Sequence, residues 1–428
     1  MKISIIGTGY VGLCTAAGFA LKGHDVVCTD IDSKKIEMIN LGEPPITEDG
    51  LAEAMKKTKN RLKATTDIKE AVAGSAMIFL CVGTPSMKDG SIDITYVKKA
   101  SEDIGANMAI TKDYSVVVVK STVIPGSTED VIIPIIEKKS GKKCGKDFGV
   151  CMNPEFLREG TAIGDFLKPD RVVIGEYDKK SGDALEKLYK NFGAPVMRTK
   201  IKTAEMIKYA SNSFLATKIS TMNEIGNICK RLGIDAYEVA KGIGYDKRIG
   251  NNFLDAGIGF GGSCFSKDLH ALRNKANEVG YTAGILDSVI KLNDNQRMEI
   301  LKILKNRITP LKGKKIAVLG LAFKPGTDDI RDSPAIDIVS ALKKEGCTIS
   351  AYDPKAAKNF KMVHPDIAYT NNSADAIKNA DACLILTEWD EFRKLSDKEF
   401  SSMKGKVIIE GRRTLESGRV KNFEGVCW

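Results

Sequence analysis

The sequence predicts an α/β protein with two doubly wound parallel-sheet domains joined by a central helical segment. Short apolar runs alternate with helical patterns at the start of the chain, as in parallel strands linked by helices. The same alternation returns near residue 314, whereas the strand signal fades from about residue 204 to 307. Because 428 residues exceed one ordinary domain, we expect domains at 1–200, 201–310 and 311–428.

The first domain opens with an apolar run at 3–6, which is followed by a helical pattern to about Lys22. Further apolar runs at 25–29, 77–82 and 115–119 are separated by helical patterns. Runs of this length, bounded by turn residues, are typical of strands buried in a parallel sheet.

A dinucleotide fingerprint follows the first strand. Residues 7–12 have the pattern G-x-G-x-x-G and open a helix. Gly7 permits the tight turn, Gly9 lets a pyrophosphate approach the backbone, and Gly12 allows the helix to pack closely on the strand. The helix N-terminus supplies donors for the phosphate charge. We therefore expect the first domain to be a Rossmann domain.

Asp30 completes the fingerprint, 18 residues after Gly12 and at the end of the second strand. Its carboxylate is expected to accept hydrogen bonds from the adenosine ribose and to repel a 2′-phosphate. NAD is therefore favoured over NADP, although Lys34 and Lys35 lie nearby.

Two further loops, Gly83-Thr84-Pro85 and Ser121-Thr122-Val123, each follow an apolar strand. Ligands bind outside the carboxyl ends of the strands in open parallel sheets, so both loops are expected to line the cofactor crevice.

The central segment has helical periodicity over 202–231 and 283–306, with few helix-breaking residues. Long helices between domains often form subunit surfaces, so we expect a homodimer or a higher homo-oligomer. Within the first helix, Lys208 and Asn212 are four residues apart and share one face. From this spacing alone, a solvated helix face is the simpler interpretation.

Cys264 lies in the run Gly259-Phe260-Gly261-Gly262-Ser263-Cys264-Phe265-Ser266-Lys267-Asp268. A thiol flanked by glycines, with a lysine and a carboxylate within four residues, is arranged like a nucleophile. Combined with a cofactor that removes hydride, it suggests oxidation of an alcohol through an aldehyde to an acid. A cysteine packed in a turn is the structural alternative.

The last domain repeats the first. Residues 315–320 repeat the opening strand and glycine, and 347–353 and 382–387 echo the strands at 25–29 and 77–82. This similarity indicates an internal duplication of a Rossmann-like unit. Because the full glycine pattern is missing, we expect the second copy to hold something other than a dinucleotide.

Composition narrows the function classes. The net charge of +10 favours an anionic ligand, but no dense Lys/Arg run contains interleaved aromatics, so we expect a phosphate-bearing small molecule and no nucleic acid. The ten cysteines contain no C-x-x-C pair and there are three histidines, so neither a disulfide framework nor a metal site is indicated. A strand beginning at residue 2 and no apolar run of membrane-spanning length predict a cytoplasmic protein without a membrane partner.

Together these segments resemble the UDP-glucose/GDP-mannose dehydrogenase family from residue 1 to about 415. The matching stretches are 7–12, 81–85, 120–123, 153–160, Lys208 with Asn212, and 246–268. The stretches 246–254 and 259–268 are the most specific, and they look like members acting on UDP-glucose rather than on N-acetylated sugars. Ser266 stands where proline is usual, and Glu410-Gly411-Arg412-Arg413 replaces the commoner Asp-Gly-Arg-Asn, so we expect Arg412 rather than Arg413 to match the family's arginine.

The resemblance implies a four-electron oxidation of UDP-glucose to UDP-glucuronate, with Cys264 carrying a thiohemiacetal and then a thioester. Lys208 would stabilise negative charge on oxygen, and Asn212 would hold water or the substrate hydroxyl. Asp268 would steer water or keep Lys208 charged. Glu155 would act as general acid and base, and Thr122 would hold a water. The implied catalytic set is Cys264, Lys208, Asn212, Asp268, Glu155 and Thr122.

The resemblance also implies the binding residues, with Arg248 reaching the substrate of the partner subunit and Lys267 able to favour the Cys264 thiolate. For NAD they are Gly7, Gly9, Tyr10, Val11, Gly12, Asp30, Lys35, Thr84, Ser121, Thr122, Glu159, Lys267 and Arg331. For the UDP-sugar they are Glu155, Phe156, Leu157, Arg158, Lys208, Asn212, Arg248, Phe253, Leu254, Gly257, Gly261, Phe323, Lys324 and Arg412.

Three alternatives stay open at this stage. Relatives that act on GDP-mannose or UDP-N-acetylsugars share the chemistry. Two-electron hydroxyacid dehydrogenases also place a lysine and an asparagine four apart, but they need no thiol. A sensor that binds NAD and a nucleotide sugar without turnover would need none of Cys264, Lys208, Glu155 and Asp268, so their presence together argues against it.

Overall fold

The computed structural model describes residues 1–111 and 113–428. The chain forms two compact units, Met1–Ser211 (unit 1) and Asn212–Trp428 (unit 2). The boundary lies within one long helix, Ile201–Leu232. The division into domains at 1–200, 201–310 and 311–428 stays a prediction.

Unit 1 contains an eight-stranded sheet in the order β3-β2-β1-β4-β5-β6-β7-β8. Its strands are β1 (Lys2–Ile6), β2 (Asp25–Thr29), β3 (Leu62–Thr65), β4 (Met77–Leu80), β5 (Val116–Val119), β6 (Gly149–Met152), β7 (Val172–Glu176) and β8 (Val196–Lys200). Neighbouring strands are parallel except β6 and β7, which pair antiparallel. The predicted parallel sheet is therefore confirmed. Strands β7 and β8 extend it, and they run parallel to each other but antiparallel to the other six strands.

Helices cover this sheet, and β1, β4 and β5 are almost entirely apolar and buried between them. The helices are α1 (Tyr10–Leu21), α2 (Ser33–Leu41), α3 (Leu51–Lys57), α4 (Ile68–Val72), α5 (Thr95–Met108), α6 (Ile133–Ser140), α7 (Ala162–Leu167), α8 (Lys179–Tyr189) and α9 (Ile201–Leu232). A π-helical turn, Thr128–Ile132, leads into α6.

Unit 2 contains a six-stranded parallel sheet in the order β11-β10-β9-β12-β13-β14. Its strands are β9 (Lys315–Leu319), β10 (Thr348–Tyr352), β11 (Ala368–Tyr369), β12 (Ala382–Ile385), β13 (Val407–Glu410) and β14 (Glu424–Gly425). The order places the sixth strand beside the fifth and the first strand at the centre, as in a Rossmann sheet. The two sheets joined through a helical segment confirm the predicted fold class.

Helices α10 to α13 precede this sheet, and the others lie between its strands. They are α10 (Ala236–Gly244), α11 (Phe265–Glu278), α12 (Gly284–Gln296), α13 (Glu299–Arg307), α14 (Pro334–Lys344), α15 (Ala357–Val363), α16 (Ser373–Ile377), α17 (Asp390–Arg393) and α18 (Asp397–Phe400). No helix in the described part of the chain has the length and apolar character that crossing a membrane requires.

The helical pattern predicted over 283–306 forms two helices in the structure rather than one. Helix α12 ends at Gln296 and α13 begins at Glu299. Arg297 lies at the break, where its buried guanidinium bonds Asp332 at 2.7 Å and Asp337 at 2.6 Å. Arginine is a good helix former, so these tertiary ion pairs override a favourable local propensity.

The internal duplication extends to one hydrogen-bond arrangement. In unit 1, Asp30 ends β2 and accepts from Thr8 N, the residue after the first glycine of the fingerprint. In unit 2, Asp353 follows β10 and accepts from Leu321 N at 2.7 Å, the residue after Gly320. The same oxygen of buried Asp353 also accepts from the Trp389 indole at 3.1 Å. Because this carboxylate is already satisfied, the second copy is poorly suited to bind a ribose as the first would.

A pH-dependent stability term is expected from Glu410, a fully buried residue at the end of β13. Burial raises the pKa of its carboxyl to about 7, although Leu415 N, Thr414 N and the Trp428 indole donate to it. The folded state therefore binds an extra proton between about pH 4.5 and 7, so the free energy of unfolding should fall as pH rises through that window.

Trp428 fluorescence reports this titration. In a Trp389→Phe background, its emission should change with a midpoint near pH 7, and Glu410→Gln should remove the change. Emission that stays flat between pH 5 and 8.5 in the Trp389→Phe protein would contradict the assignment.

Candidate active site

The fingerprint loop in unit 1 is shaped for close approach of a phosphate. Gly7 has φ +97°, and a Cβ there would lie 2.9 Å from Cys81 O. A Cβ at Gly12 would lie 1.9 Å from Gly7 O, so the helix packs on the turn without room for a side chain. A Cβ at Gly9, in contrast, would meet no atom within 4 Å. Gly9 begins α1 without a side-chain cap, so the loop fits the pyrophosphate of NAD.

Asp30 is held in place beside this loop. Its Oδ2 accepts from Thr8 N at 2.8 Å and from Thr8 Oγ1 at 2.7 Å, and its Oδ1 accepts from Asp32 N at 3.1 Å. Burial raises the pKa of Asp30, but these hydrogen bonds outweigh burial, so the pKa is lowered. The group is therefore a fixed anion, as recognition of an unphosphorylated ribose requires.

Asp30→Asn tests this role, because asparagine can keep an oxygen for Thr8 while it loses the charge. We expect the ratio of kcat/KM for NAD⁺ over NADP⁺ to fall by about tenfold, since repulsion of the 2′-phosphate by a nearby charge is worth about 1 kcal/mol or more. The measurement is steady-state kinetics with both cofactors, with Asp67→Asn, a change at the N-cap of α4, as the control. An unchanged ratio would remove Asp30 from cofactor selection.

The loops after β4 and β5, both predicted to line the cofactor crevice, contact one another. Thr84 Oγ1 donates to Thr122 O at 2.9 Å, and Ser121 Oγ donates to Val82 O at 2.6 Å. Buried Glu205, one turn before Lys208 on α9, accepts from Gly126 N just beyond Thr122. The loop that carries Thr122 is thus fixed at both ends.

Glu155 and Lys208 form a buried ion pair in unit 1. Glu155 Oε1 accepts from Lys208 Nζ at 2.7 Å, and Oε2 accepts from Leu157 N at 2.7 Å. Burial raises the pKa of Glu155, but the charge and hydrogen bond of Lys208 outweigh it, so the pKa is lowered. Asp268 was expected to steer water or keep Lys208 charged, whereas the structure has Glu155 as a carboxylate partner of Lys208.

Lys120 is a site residue to which the sequence analysis gave no role. Its side chain is buried, and its Nζ donates to Asn153 Oδ1 at 3.0 Å. Asn153 Oδ1 also accepts from Tyr189 OH at 2.6 Å, which anchors the base of the Glu155 loop. Burial lowers the pKa of Lys120 to about 8, and its charge contributes to the low pKa of Glu155.

Glu48 supports the other end of the same loop and was also missed. Its carboxylate is buried and accepts from Gly160 N and Ala162 N, both at 2.7 Å. Gly160 follows Glu159, one of the residues expected to bind the cofactor. A long-range contact over more than 110 residues leaves no local pattern, so nothing in the sequence near residue 48 pointed to it.

Phe156 and Arg158, on the same loop as Glu155, differ in how close they lie to the Glu155–Lys208 ion pair. The Phe156 ring lies 3.8 Å from the Arg171 guanidinium and 5.7 Å from Lys208 Nζ. Arg158 is exposed and bonds Asp165 at 2.6 Å. Phe156 therefore lies near the predicted catalytic lysine, whereas Arg158 forms a surface ion pair in this structure.

Cys264 lies in unit 2, where it is exposed and begins α11. The N-terminus of a helix favours negative charge, so the position favours a thiolate. Ser263 Oγ lies 3.7 Å from the sulfur. Exposure of the thiol argues against the alternative of a cysteine packed in a turn.

Asp268 orients two predicted site residues in unit 2. It is almost fully buried, and Lys267 Nζ and Asn212 Nδ2 donate to its two oxygens, both at 2.6 Å. Asn212 is on α9 and Asp268 on α11, so this carboxylate fixes the side-chain amide relative to the helix that Cys264 begins. The three predictions Asn212, Lys267 and Asp268 thus meet in one cluster.

Arg412 and Arg413 contact different parts of unit 2. Arg412 donates to Gly259 O, and a Cβ at Gly257 would lie 3.1 Å from its Nη1. Arg413 instead bonds Asp235 at 3.0 Å. Arg412 is therefore the arginine beside the glycine-rich loop, and its match to the family's arginine stays a prediction.

The segment from Phe323 to Asp332 lies against the same glycine-rich loop. A Cβ at Gly262 would lie 2.7 Å from the Phe323 ring, and Gly262 N donates to Arg331 O at 2.9 Å. Lys324 Nζ lies 5.6 Å from the Phe323 ring. The residues expected from the second Rossmann-like sheet are thus brought to the loop that carries Cys264.

Arg248 and Phe253 are less constrained by this cluster. Arg248 is highly exposed and bonds Asp246 at 2.6 Å within its own turn. Phe253 has φ +63°, an unusual conformation for a non-glycine residue, and its ring lies 6.3 Å from that of Phe265. Leu254 is buried in the core of unit 2. Within one chain the structure joins Arg248 to Asp246 rather than to the other predicted substrate residues.

Three sequence profiles of one family match the chain in order. The profile for the UDP-glucose/GDP-mannose dehydrogenase family, NAD binding domain, matches residues 1–193. The profile for the central domain matches 202–295, and that for the UDP binding domain matches 317–417.

Individual proteins are similar over their whole length. A UDP-glucose 6-dehydrogenase of Haloferax volcanii is 47% identical over 100% of both chains. A UDP-glucose 6-dehydrogenase of Bacillus subtilis is 46% identical over 96% of this chain and 89% of its own, and a GDP-mannose 6-dehydrogenase of Pseudomonas syringae is 39% identical over 100% of both. Among solved structures, a UDP-glucose dehydrogenase from Pyrobaculum islandicum superposes with a TM-score of 0.94 at 39% identity, covering 100% of this chain and 98% of its own.

Proposed function

The chain belongs to the UDP-glucose/GDP-mannose dehydrogenase family, and from this premise we propose that it is a UDP-glucose 6-dehydrogenase that forms UDP-glucuronate. The observation that carries the proposal is the exposed Cys264 thiol at the start of α11, in a loop packed against Arg412, Phe323 and Arg331. An acid-forming dehydrogenase needs such a thiol, whereas a two-electron dehydrogenase or a sensor does not.

NAD⁺ would supply the hydride acceptor, and two NAD⁺ molecules bound in succession would each take one hydride. The residues that would hold it in unit 1 are Gly7, Gly9, Gly12 and Asp30, with Thr84 and Ser121 from the neighbouring loops. Lys267 and Arg331 are also proposed to contact NAD⁺.

Lys208 and Glu155 are proposed to manage charge on the C6 oxygen. As the C6 hydroxyl gives its proton to a water that Asn212 or Thr122 would hold, the Lys208 ammonium would stabilise the alkoxide, because a buried cation acts strongly on a developing anion. Glu155 keeps Lys208 charged through the 2.7 Å ion pair. Asn212, oriented by Asp268, would hold the hydroxyl or a water.

Cys264 is proposed to retain the aldehyde. Its thiolate attacks C6, a C–S bond forms, and the carbonyl electrons move to oxygen, which takes up a proton. Loss of a second hydride and of that proton converts the thiohemiacetal into a thioester. Water then attacks the thioester carbon, its proton passes to Glu155, and the C–S bond breaks to return the thiolate.

The proposed substrate is UDP-glucose rather than GDP-mannose or a UDP-N-acetylsugar. Support comes from similarity, because four UDP-glucose 6-dehydrogenases are 43–47% identical and the GDP-mannose 6-dehydrogenases 38–39%. The test is a panel of UDP-glucose, UDP-N-acetylglucosamine, UDP-N-acetylmannosamine and GDP-mannose, each with NAD⁺ and NADP⁺. We expect UDP-glucose with NAD⁺ to have the highest kcat/KM, and a higher value for another sugar would overturn the assignment.

We further propose that the protein is a homodimer formed through α9. Phe214, Ile228 and Leu232 are 68%, 53% and 67% exposed, and their spacing places them on one face of the helix. Exposed large apolar side chains that share one face of a helix are typical of a subunit interface.

Phe214→Glu with Leu232→Glu should convert the dimer to monomers, because burying two carboxylates in an apolar interface costs several kcal/mol. Sedimentation velocity gives the mass, and Lys344→Glu, an exposed change on α14, is the control. A doubly substituted protein with the mass of the parent would place the interface elsewhere.

A further inference from the structure

Asp332 has a backbone conformation that needs an explanation. It is not a glycine, yet its φ is +53°. Left-handed backbone is uncommon for such residues and persists where the surroundings impose it. Asp332 follows Arg331, and the mechanism above gives Asp332 no role.

The Asp332 carboxylate contacts Arg297. Arg297 lies at the break between α12 and α13, is buried, and donates to Asp332 Oδ1 at 2.7 Å and to Asp337 Oδ2 at 2.6 Å. Burial raises the pKa of Asp332 although Arg297 opposes it. In the part of the chain that the structure describes, Asp332 Oδ2 and Arg297 Nε are buried without a hydrogen-bond partner. The Arg297–Asp332 pair therefore combines an unfavourable backbone conformation with two buried polar atoms that lack hydrogen bonds. Both features cost free energy of folding, so stabilising the fold alone does not explain the pair.

The peptide that this pair holds supports the loop of Cys264. Gly262 N donates to Arg331 O at 2.9 Å, and a Cβ at Gly261 would lie 2.4 Å from Asp332 O, so the two backbones are in direct contact. Arg297 Nη2 also approaches Phe260 O at 3.4 Å. Residues 260–262 therefore rest on Arg297 and on the Arg331–Asp332 peptide.

Asn293 secures the same loop from α12. Its Oδ1 accepts from Phe260 N at 2.8 Å and its Nδ2 donates to Phe260 O at 3.1 Å. The loop is thus held by one amide from α12 and by the Arg297–Asp332 pair, two to four residues before the nucleophile.

We propose that Arg297 and Asp332 are positioning residues that set where the Cys264 sulfur lies, through residues 260–262. Neither residue is required to touch sulfur, sugar or cofactor. The proposal rests on the proposed function of Cys264 as the nucleophile, and it extends that function to residues outside the implied catalytic set.

Three substitutions separate the effect of the Asp332 backbone conformation from the effect of its ion pair with Arg297. Asp332→Gly tolerates φ +53° but removes the carboxylate, whereas Asp332→Asn tolerates the conformation and keeps an oxygen for Arg297. Arg297→Met removes the partner. The control is Glu424→Gln, which breaks a different ion pair of unit 2, that of Lys230 and Glu424 at 3.1 Å.

The primary readout is the rate at which iodoacetamide alkylates Cys264, followed by mass spectrometry of its peptide without sugar or NAD⁺. We expect Asp332→Gly and Arg297→Met to change this rate by at least about threefold and to lower kcat by about tenfold, with the KM for UDP-glucose within about twofold, as loss of about 1.4 kcal/mol of positioning predicts. Asp332→Asn should lie near the parent, and the double variant should be no worse than either single change, because the residues act as one unit.

Unchanged alkylation and kcat in folded Asp332→Gly and Arg297→Met, with only the melting temperature lowered as in Glu424→Gln, would overturn the proposal. If Asp332→Gly does not fold, the comparison of Arg297→Met with Glu424→Gln decides in the same way. Failure of the proposed function is a separate result, because it would appear as uronate formation by the Cys264→Ser protein.

Discussion

Cys264→Ser is expected to abolish formation of UDP-glucuronate while UDP-glucose still binds. A serine hydroxyl is not ionised near neutral pH and cannot replace the thiolate, so the rate of acid formation should fall by at least about 10³-fold. The measurement is uronate production by chromatography, together with the dissociation constant of UDP-glucose by calorimetry.

Cys144→Ser is the matched control, because it removes a half-buried thiol from unit 1. It should leave both the rate and the dissociation constant near those of the parent. If Cys264→Ser made uronate at the normal rate, the covalent route would be wrong. If it lost affinity for UDP-glucose as well, a role in binding would replace the role in catalysis.

Lys208→Met should lower kcat by about 10²- to 10³-fold, the size expected for loss of one oxyanion donor. It should also destabilise the protein by about 3–5 kcal/mol, because Glu155 is left buried without its cation. Without Lys208, burial should raise the pKa of Glu155, so the folded state would bind the extra proton and the loss of stability should grow as pH rises from 5 to 8.

The double variant Lys208→Met with Glu155→Gln separates the two effects. It should recover most of the free energy of unfolding, measured by urea denaturation, because no uncompensated carboxylate is buried. It should not recover kcat. A single variant that lost stability but kept its rate would show that the pair is only structural.

The parts of the fold that the sequence predicted are those specified locally. The turn at Gly7, with φ +97°, and the close contact of Gly12 with Gly7 O can be read from the glycine spacing. Strands β1, β4, β5 and β9 are apolar and buried, so their runs are visible in composition. The antiparallel addition of β7 was missed because strand direction depends on pairing rather than on composition.

The edge strand β8 and the break between α12 and α13 were also missed, because they too depend on tertiary contacts rather than on composition. Strand β8 has the sequence Val-Met-Arg-Thr-Lys and is only partly buried, so it carries no apolar run. The break at Arg297 follows from ion pairs with Asp332 and Asp337, residues 35 and 40 positions away. Local propensity favours a helix there, and tertiary contacts prevail.

Candidate site residues also divide into those that sequence motifs identify and those that depend on tertiary contacts. The resemblance identified Lys208 and Asp268, which contact other predicted residues, and Cys264, whose loop packs against Phe323 and Arg331. Lys120 and Glu48 were missed because a lysine and a glutamate in a sequence are normally exposed. Their burial and their partners arise only when distant segments meet.

The most direct test of the central claim is the number of NADH molecules formed for each UDP-glucose consumed. With NAD⁺ in excess and UDP-glucose limiting, absorbance at completion gives this ratio without any variant. Oxidation through a Cys264 thiohemiacetal and thioester predicts two NADH for each UDP-glucose, with UDP-glucuronate as the product. A ratio of one, with an aldehyde released, would contradict it.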